Sequence, residues 1–418
     1  MIILSELIIN GGHPLTGNVN ICGSKNAALP IMASCAAVSG KIILKNIPHL
    51  SDVDEMTALL RCFGCDASFE GDSLVICADG IDNLISPYEL VTKFRASFLV
   101  SGALLARFGY VRISLPGGCR IGTRPVDLHI KGLCLMGAQS QMGHGFMEFR
   151  AKRLHGAKIY LDFPSVGATE NLMTAACLAE GVTEIENAAT EPEVTDLANF
   201  LIKCGAHIDG AGTEHITVNG VDGLRACEYS IIPDRIEAGT FMVAAACTGG
   251  NVSITGALSE HLNPIIAKLR EMGVTVEEKQ EVITVAKSGT IKATDIKTLP
   301  HPGFPTDMQS VFSALMCYAE GTGIITETVF ENRFMHMTEL MRMHANIKID
   351  GRSAVIEGCS SLDGAMVTAT DLRAGAALAI AGMAALGTTR IESAELICRG
   401  YENFDRKLRS LGADIEFR

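Results

Sequence analysis

The sequence predicts an α/β protein of two domains, built from six copies of one βαβαββ unit with sheets outside and helices inside. Three observations carry this. A glycine followed by a short alternating strand occurs six times: GKIILKNI at 40–47, GYVRISLP at 109–116, GVTEIENA at 181–188, GNVSITGA at 250–257, GTGIITET at 321–328 and GTTRIESA at 387–394. A helix rich in small apolar residues precedes the strand, as in ASCAA at 33–37, AACLA at 175–179 and AALAIAGMAA at 376–385. A second helix then ends on a similar phrase five times: LLRCFG at 59–64, LCLMG at 133–137, LIKCG at 201–205, LREMG at 269–273 and LRSLG at 408–412.

Each element has its own physical reason. The strands alternate apolar and polar residues at period two, which marks a half-buried strand. The first helix of each unit is small and apolar all round, so it belongs inside a core. The second helix ends on glycine, the residue that best adopts the left-handed cap. In the fifth copy the phrase is MRMHA at 341–345, read here with alanine where glycine would cap the helix. After the cap comes another alternating strand, as DASFE at 66–70 or VTVEE at 274–278. Trp is absent and aromatics are 5%, so aliphatic residues and alanine must fill the interior. Six units exceed one core, and three per domain is the economical division. The expected domains are 1–24 with 233–418, holding repeats four to six closed by an N-terminal strand pair, and 25–232, holding repeats one to three.

The totals narrow the function. With 418 residues, 48% hydrophobic and 20% charged, the chain can bury a large core. A formal net charge of −12 argues against nucleic acid or an anionic membrane as partner. Clustered arginines still hold a small anion, because the local field outweighs net charge at contact distance. Fourteen cysteines include a single CxxC, Cys62 and Cys65, at a helix end, so neither a zinc site nor a disulfide framework is expected. The scattered thiols point to a reducing compartment. Residues 1–17 lack a basic segment and carry Glu6, unlike a signal peptide. Segment 374–386 is broken by glycine and shorter than the roughly 20 residues of a membrane helix. A cytoplasmic protein without membrane partner is expected.

Some charges are not explained by the repeat. Lys25, Arg95 and Arg373 stand where the first helix begins in repeats one, two and six. A cation there opposes the helix dipole, and its recurrence suggests an anion shared with the helix end. Asp307 takes that place in repeat five and is suited to accept a proton from a hydroxyl. Glu170 and Glu237 take similar places in repeats three and four. These helix ends are expected to point charged heads toward one cleft between the domains. Arg333 and Arg399 are further candidates for two-pronged recognition of carboxylate or phosphate. The segment 165–169, SVGAT, has Ser and Gly amides before a helix and suits a phosphate, although an ordinary loop reads the same way. Segment 115–138 places Cys119 among Gly117, Gly118 and Gly122, with Arg120 and Arg124 beside it. Nearby cations make a thiol reactive, and a loop so rich in glycine reads as an active-site lid.

These phrases together resemble the UDP-N-acetylglucosamine 1-carboxyvinyltransferases of the enolpyruvyl transferase family, over essentially the full length. The matching phrases are GSKNAALP at 23–30, RAS at 95–97, PGGCRIGTRPVDLHI at 116–130, SVGATENLM at 165–173 and PDRIEAGTF at 233–241. They continue as PGFPTDMQ at 302–309, FENRFMH at 330–336, DLRAGAAL at 371–378 and RGYEN at 399–403. The resemblance implies the two-domain inside-out α/β barrel of six βαβαββ repeats. It also implies transfer of enolpyruvyl from phosphoenolpyruvate to the 3′-hydroxyl of UDP-N-acetylglucosamine, with release of phosphate, as the first committed step of peptidoglycan synthesis. Lys25, Arg124 and Arg399 would hold the phosphate of phosphoenolpyruvate, while Arg333 and Arg373 would face its carboxylate. Asp307 would orient and deprotonate the sugar hydroxyl. Cys119 would be the proton-donating lid thiol, able to form an adduct with phosphoenolpyruvate. Asn26, Arg95, Arg124, Pro125, Val126, Asp127, Leu128, Ser165, Val166, Gly167, Asp307 and Val329 would contact the nucleotide sugar. No cofactor and no metal are implied, and a monomer is expected. The chain departs from the family at Cys22 and Ser24, where Ser and Ala are commoner, and at Arg120, where Ala is frequent. Phe163 stands where some members place a lysine near the uracil.

Overall fold

The computed structural model describes residues 5–92, 94–115, 126–279, 281–287 and 289–418. The chain divides into two compact units: the residues through Cys22 with Pro233–Arg418, and the described residues of 23–115 and 126–232.

In the unit of 23–232, three helices pack on one another at the centre: Lys25–Ser34, Val100–Phe108 and Val166–Ala176. Of Lys25–Ser34 only Asn26 is exposed, and of Val166–Ala176 everything from Ala168 onward is buried, as helices apolar on every side require. Gly102 shows how close these helices come. A Cβ there would lie 2.5 Å from the Asn171 carbonyl oxygen, and its N–H donates to Asn171 Oδ1 at 2.8 Å. Each central helix leads to a strand, an outer amphipathic helix (Ser51–Phe63, Asp127–Leu135 and Pro192–Lys203) and a hairpin. The sheets lie outside. One runs Glu228–Ser230, Lys41–Lys45, Ser73–Cys77, Asp66–Glu70, with its first pair parallel and the rest antiparallel. A second runs Lys158–Tyr160, Val182–Glu186, His215–Asn219, His207–Asp209. The third, Tyr110–Ser114, Phe146–Arg150, Gln139–Met142, carries among the described residues a parallel Ile85–Arg112 bridge where the others carry a parallel strand.

The unit of 233–418 repeats the plan. Its central helices are Arg235–Thr248, Gln309–Met316 and Leu372–Ala384. Its outer helices are Asn263–Glu271, Met335–Arg342 and Phe404–Ser410. The two N-terminal strands correct one expectation, because they are not a pair. Glu6–Asn10 lies antiparallel between Thr388–Glu392 and Asp414–Phe417, whereas Thr16–Asn20 runs parallel to Asn251–Thr255 in a different sheet. Repeat six carries one strand after its outer helix, and Glu6–Asn10 takes the place of the second. Repeat four has no preceding strand of its own unit to borrow, and Thr16–Asn20 supplies it. Leu15, fully buried, anchors the connection, and its carbonyl accepts from Asn251 N–H at 2.8 Å.

The outer-helix caps follow the sequence in five repeats: Gly64, Gly137, Gly205, Gly273 and Gly412 all have φ between 86° and 105°. In repeat five the left-handed residue is His344, at φ 66°, and not Ala345 as read from the sequence. A non-glycine residue there costs about 1–2 kcal/mol. A contact of 2.6 Å between His344 Nδ1 and Asp363 Oδ2 holds the turn. Among the described residues no helix is long and apolar enough to cross a membrane.

Candidate active site

In the unit of 233–418 the focus is Asp307, in a 3-10 turn Thr306–Met308 that leads into Gln309–Met316. Arg333 Nη2 donates to its Oδ1 at 2.7 Å, and Arg373 donates to Oδ2 through Nη2 at 3.0 Å and Nε at 3.3 Å. Burial pushes the carboxyl up, but the two guanidiniums overcome it and hold Asp307 far below the usual carboxylate range. Arg373 is placed by its own helix start: the Asp371 side chain caps Leu372–Ala384 by accepting from the Arg373 and Ala374 N–H groups. Its guanidinium lies 5.1 Å from the centre of the Tyr401 ring, whose hydroxyl meets Thr240 Oγ1 at 2.9 Å. The arginines have capacity left over. Arg333 Nε and Arg373 Nη1 are buried without a hydrogen-bond partner among the described residues, as are both amide atoms of Gln309 and the Ser310 hydroxyl. Buried donors of this kind are costly unless a ligand uses them.

In the unit of 23–232 the corresponding helix starts carry Lys25, Arg95 and Ser165. Lys25 is the first residue of its helix and is 8% exposed, and its Nζ lies 2.6 Å from Asp52 Oδ2. Asn26, beside it, is exposed. Arg95 opens the 3-10 helix Arg95–Leu99. Ser165 caps Val166–Ala176 and its hydroxyl accepts from Ala168 N–H at 3.4 Å. The amides of Val166 and Gly167 head this helix, the arrangement that receives phosphate. Val126 precedes Asp127–Leu135, which carries Asp127, Leu128 and His129.

A sequence profile of the EPSP synthase (3-phosphoshikimate 1-carboxyvinyltransferase) family matches residues 9–408. The chain belongs to the enolpyruvyl transferase family. It is 55% identical over 411 residues, 98% of this chain and 99% of the other, to UDP-N-acetylglucosamine 1-carboxyvinyltransferase 1 of Caldanaerobacter subterraneus subsp. tengcongensis. It is 54% identical over 415 residues, 99% of each, to UDP-N-acetylglucosamine 1-carboxyvinyltransferase 2 of Carboxydothermus hydrogenoformans. Among solved structures, the enolpyruvyl transferase NikO from Streptomyces tendae superposes with a TM-score of 0.91 at 26% identity, covering 99% of each chain. The fold of six repeats is thus the enolpyruvyl transferase fold.

Within this family fold, Arg399 ends the 3-10 helix Ala394–Arg399 and is half-buried. Val329 is held by its backbone, its N–H donating to Glu327 Oε1 at 2.8 Å. Cys119, Arg120, Arg124 and Pro125 lie outside the described residues. Glu170 and Glu237 differ from the sequence reading. Glu170 lies a full turn inside its helix, 4% exposed, and Glu237 is 2% exposed with Lys407 Nζ at 2.7 Å and the Cys22 N–H at 2.9 Å. Glu170 is thus interior to its helix, whereas Glu237 does stand in the first turn of Arg235–Thr248 but is buried and paired with Lys407.

Two residues were not found from the sequence. Glu327, 1% exposed, accepts from the hydroxyls of Thr298 and Thr306 and from the amides of Val329 and Phe330, while Thr306 Oγ1 also accepts from Arg333 Nη1 at 2.9 Å. It therefore sets both the Asp307 turn and the segment leading to Arg333. The only signal was an acid directly after the alternating strand of repeat five. His129 is the other. Asn171 Oδ1 accepts from Gly102 N–H and its amide nitrogen lies 3.1 Å from both Ser101 Oγ and His129 Nδ1, so Nδ1 accepts and the ring proton sits on Nε2. Burial, with Arg95 nearby, pulls its pKa down to about 3, so the ring is neutral. A Cβ at Gly167 would lie 3.6 Å from Nε2, which sets the N–H edge against the phosphate-type turn. Among the described residues no cluster of three or more His, Cys, Asp or Glu is arranged to hold a metal ion.

Proposed function

We propose that this chain transfers the enolpyruvyl group of phosphoenolpyruvate to the 3′-hydroxyl of UDP-N-acetylglucosamine, releasing phosphate, as the first committed step of peptidoglycan synthesis. The observation that carries the mechanism is the Asp307 carboxylate bracketed by Arg333 and Arg373, with buried guanidinium nitrogens left over. In this reading the substrate carboxylate takes Arg333 and Arg373 as its partners. Asp307 then loses the charges that hold its pKa down and becomes a base able to take the proton of the sugar hydroxyl. Lys25, Arg124 and Arg399 hold the phosphate, and their charge balances an anionic substrate in an acidic protein. Asn26, Arg95, Arg124, Pro125, Val126, Asp127, Leu128, Ser165, Val166, Gly167, Asp307 and Val329 contact the nucleotide sugar.

The chemistry is addition followed by elimination. Cys119 donates a proton to C3 while the sugar oxygen bonds to C2, giving a tetrahedral phosphate ketal. Loss of a proton from C3 and of the phosphate from C2 restores the double bond. Closure of the segment around Cys119 excludes water from the ketal. In this reading the enzyme acts in the cytoplasm as a monomer, and the scattered cysteines of its sequence suit a reducing compartment.

The test is phosphate release by the purified protein from phosphoenolpyruvate with UDP-N-acetylglucosamine, run beside phosphoenolpyruvate with shikimate 3-phosphate. Release is expected with the nucleotide sugar alone. Release with shikimate 3-phosphate, or with neither, overturns the proposal.

A further inference from the structure

Away from the groups assigned to catalysis, the unit of 23–232 holds two thiols in contact. Cys204 Sγ and Cys227 Sγ are 3.5 Å apart. Cys204 follows the helix Pro192–Lys203 and is buried; Cys227 lies between the strands Leu224–Arg225 and Glu228–Ser230 and is partly exposed. The backbone holds both in place. Arg225 N–H donates to the Cys204 carbonyl at 2.8 Å, and Ile43 N–H donates to the Cys227 carbonyl at 3.1 Å. The sulfurs are thus in contact on a hydrogen-bonded backbone, and a disulfide of about 2.0 Å requires them to draw closer from that contact.

The two thiols are not equivalent. Cys227 is the partly exposed one, and the contact with Cys204 and the Lys203 ammonium lower its pKa against the effect of burial. The Cys204 thiol is pushed up, first by the same sulfur contact and then by burial. The neighbouring Cys35 and Cys177 are fully buried and pushed up by that burial, Cys177 to about 12. Buried thiols of this kind are chemically inert.

We propose that Cys204 and Cys227 form a reversible disulfide in response to peroxide, with Cys227 the attacking sulfur and Cys204 the resolving one. The Cys227 thiolate attacks one peroxide oxygen; the O–O bond breaks, hydroxide leaves, and Cys227 becomes a sulfenic acid. The Cys204 sulfur displaces the sulfenic oxygen, which leaves as water with the thiol proton, and the S–S bond forms. Peroxide is reduced by two electrons and the dithiol oxidised by two. A thiol reductant reverses the bond by exchange.

The experiment treats the reduced full-length protein with a small excess of hydrogen peroxide, alkylates the remaining thiols and maps peptides by mass spectrometry. A cross-linked peptide pairing Cys204 with Cys227, lost on adding dithiothreitol, is expected ahead of oxidation at the exposed Cys62 and Cys398. Cys204→Ser should leave a Cys227 sulfenic acid that dimedone captures, and Cys227→Ser should abolish both products. Failure to form the 204–227 bridge, its formation only after Cys62 and Cys398 are oxidised, or a bridge from either residue to Cys35 or Cys177 instead would overturn the proposal. The readout needs no enzymatic turnover and stands whether or not the proposed reaction does.

Discussion

Arg333 Nη2 and Asp307 Oδ1 are 2.7 Å apart, and Arg373 occupies the other carboxylate oxygen at 3.0 Å. A carboxylate shared by two guanidiniums is a poor base, so the base must be released by the substrate that takes the arginines. Asp307→Asn should lower turnover at least about a hundredfold, ~2.7 kcal/mol, with a smaller effect on phosphoenolpyruvate binding. The same pair sets a pH dependence. Asp307 has its folded pKa depressed, so the ionised form stabilises the fold. That contribution is full above the unfolded carboxylate value of about 4 and is lost as pH falls below it toward the depressed value. Acid unfolding curves of the parent should therefore fall more steeply below about pH 4 than those of Asp307→Asn. Identical acid limbs would contradict the assignment.

Lys25 and Arg399 are both assigned to the phosphate, and Lys25 also has a structural partner. Either change to alanine should cost at least about a hundredfold in turnover. Lys25→Ala also leaves Asp52, 5% exposed, without its 2.6 Å ion-pair partner. Breaking a buried pair costs about 3–5 kcal/mol, so this variant should melt well below the parent. Lys25→Ala with Asp52→Ala should recover part of the stability and none of the turnover. Thermal melts and phosphate-release assays on the same preparations decide it.

Cys119 should carry the fastest covalent chemistry among the fourteen cysteines. Fosfomycin, an epoxide phosphonate, mimics phosphoenolpyruvate, and its ring opens at a thiolate. Labelling should map to Cys119 and accelerate with UDP-N-acetylglucosamine. Cys22 should stay unlabelled, since burial and the Glu237 carboxylate push its pKa up to about 12. Cys119→Asp retains a proton donor without the nucleophile, so it should turn over and resist the epoxide. Label found on Cys22 or Cys134 would remove Cys119 from its role.

Glu170 should lower stability at neutral pH. It is 4% exposed, its Oε1 has no partner among the described residues, and burial, with Glu193 and Glu191 nearby, raises its pKa well above the carboxylate range. A raised folded pKa means stability is fully present below the unfolded value near 4 and is lost as pH climbs toward the folded one. Glu170→Gln should therefore raise Tm by about 2–4 °C or more at pH 7.5, with a smaller gain at pH 4.5. A Tm difference that does not change between the two pH values would count against a buried, neutral Glu170.

The sequence by itself determined the six repeats, the buried character of the central helices and the residues that begin them. These properties are local: strand alternation, an all-apolar helix and a capping glycine are each written within about a dozen neighbouring residues. The phrases around Lys25, Arg95, Ser165, Asp307, Arg333, Arg373 and Arg399 were legible for the same reason. Only the tertiary structure decided partnerships. Asp307 meets Arg333 across 26 positions and Arg373 across 66, and nothing in their spacing announces that one carboxylate serves both. Glu6–Asn10 and Thr16–Asn20 look like a hairpin because they are adjacent, but backbone hydrogen bonds in repeats six and four each needed a strand, and the two parted. Glu237 reads as a charged head at a helix start, until Lys407, 170 positions away, reaches its carboxylate inside the core. In repeat five the sequence shows only that glycine is missing. That His344 takes the left-handed turn depends on Asp363, which comes within 2.6 Å of its ring once the chain has folded back on itself.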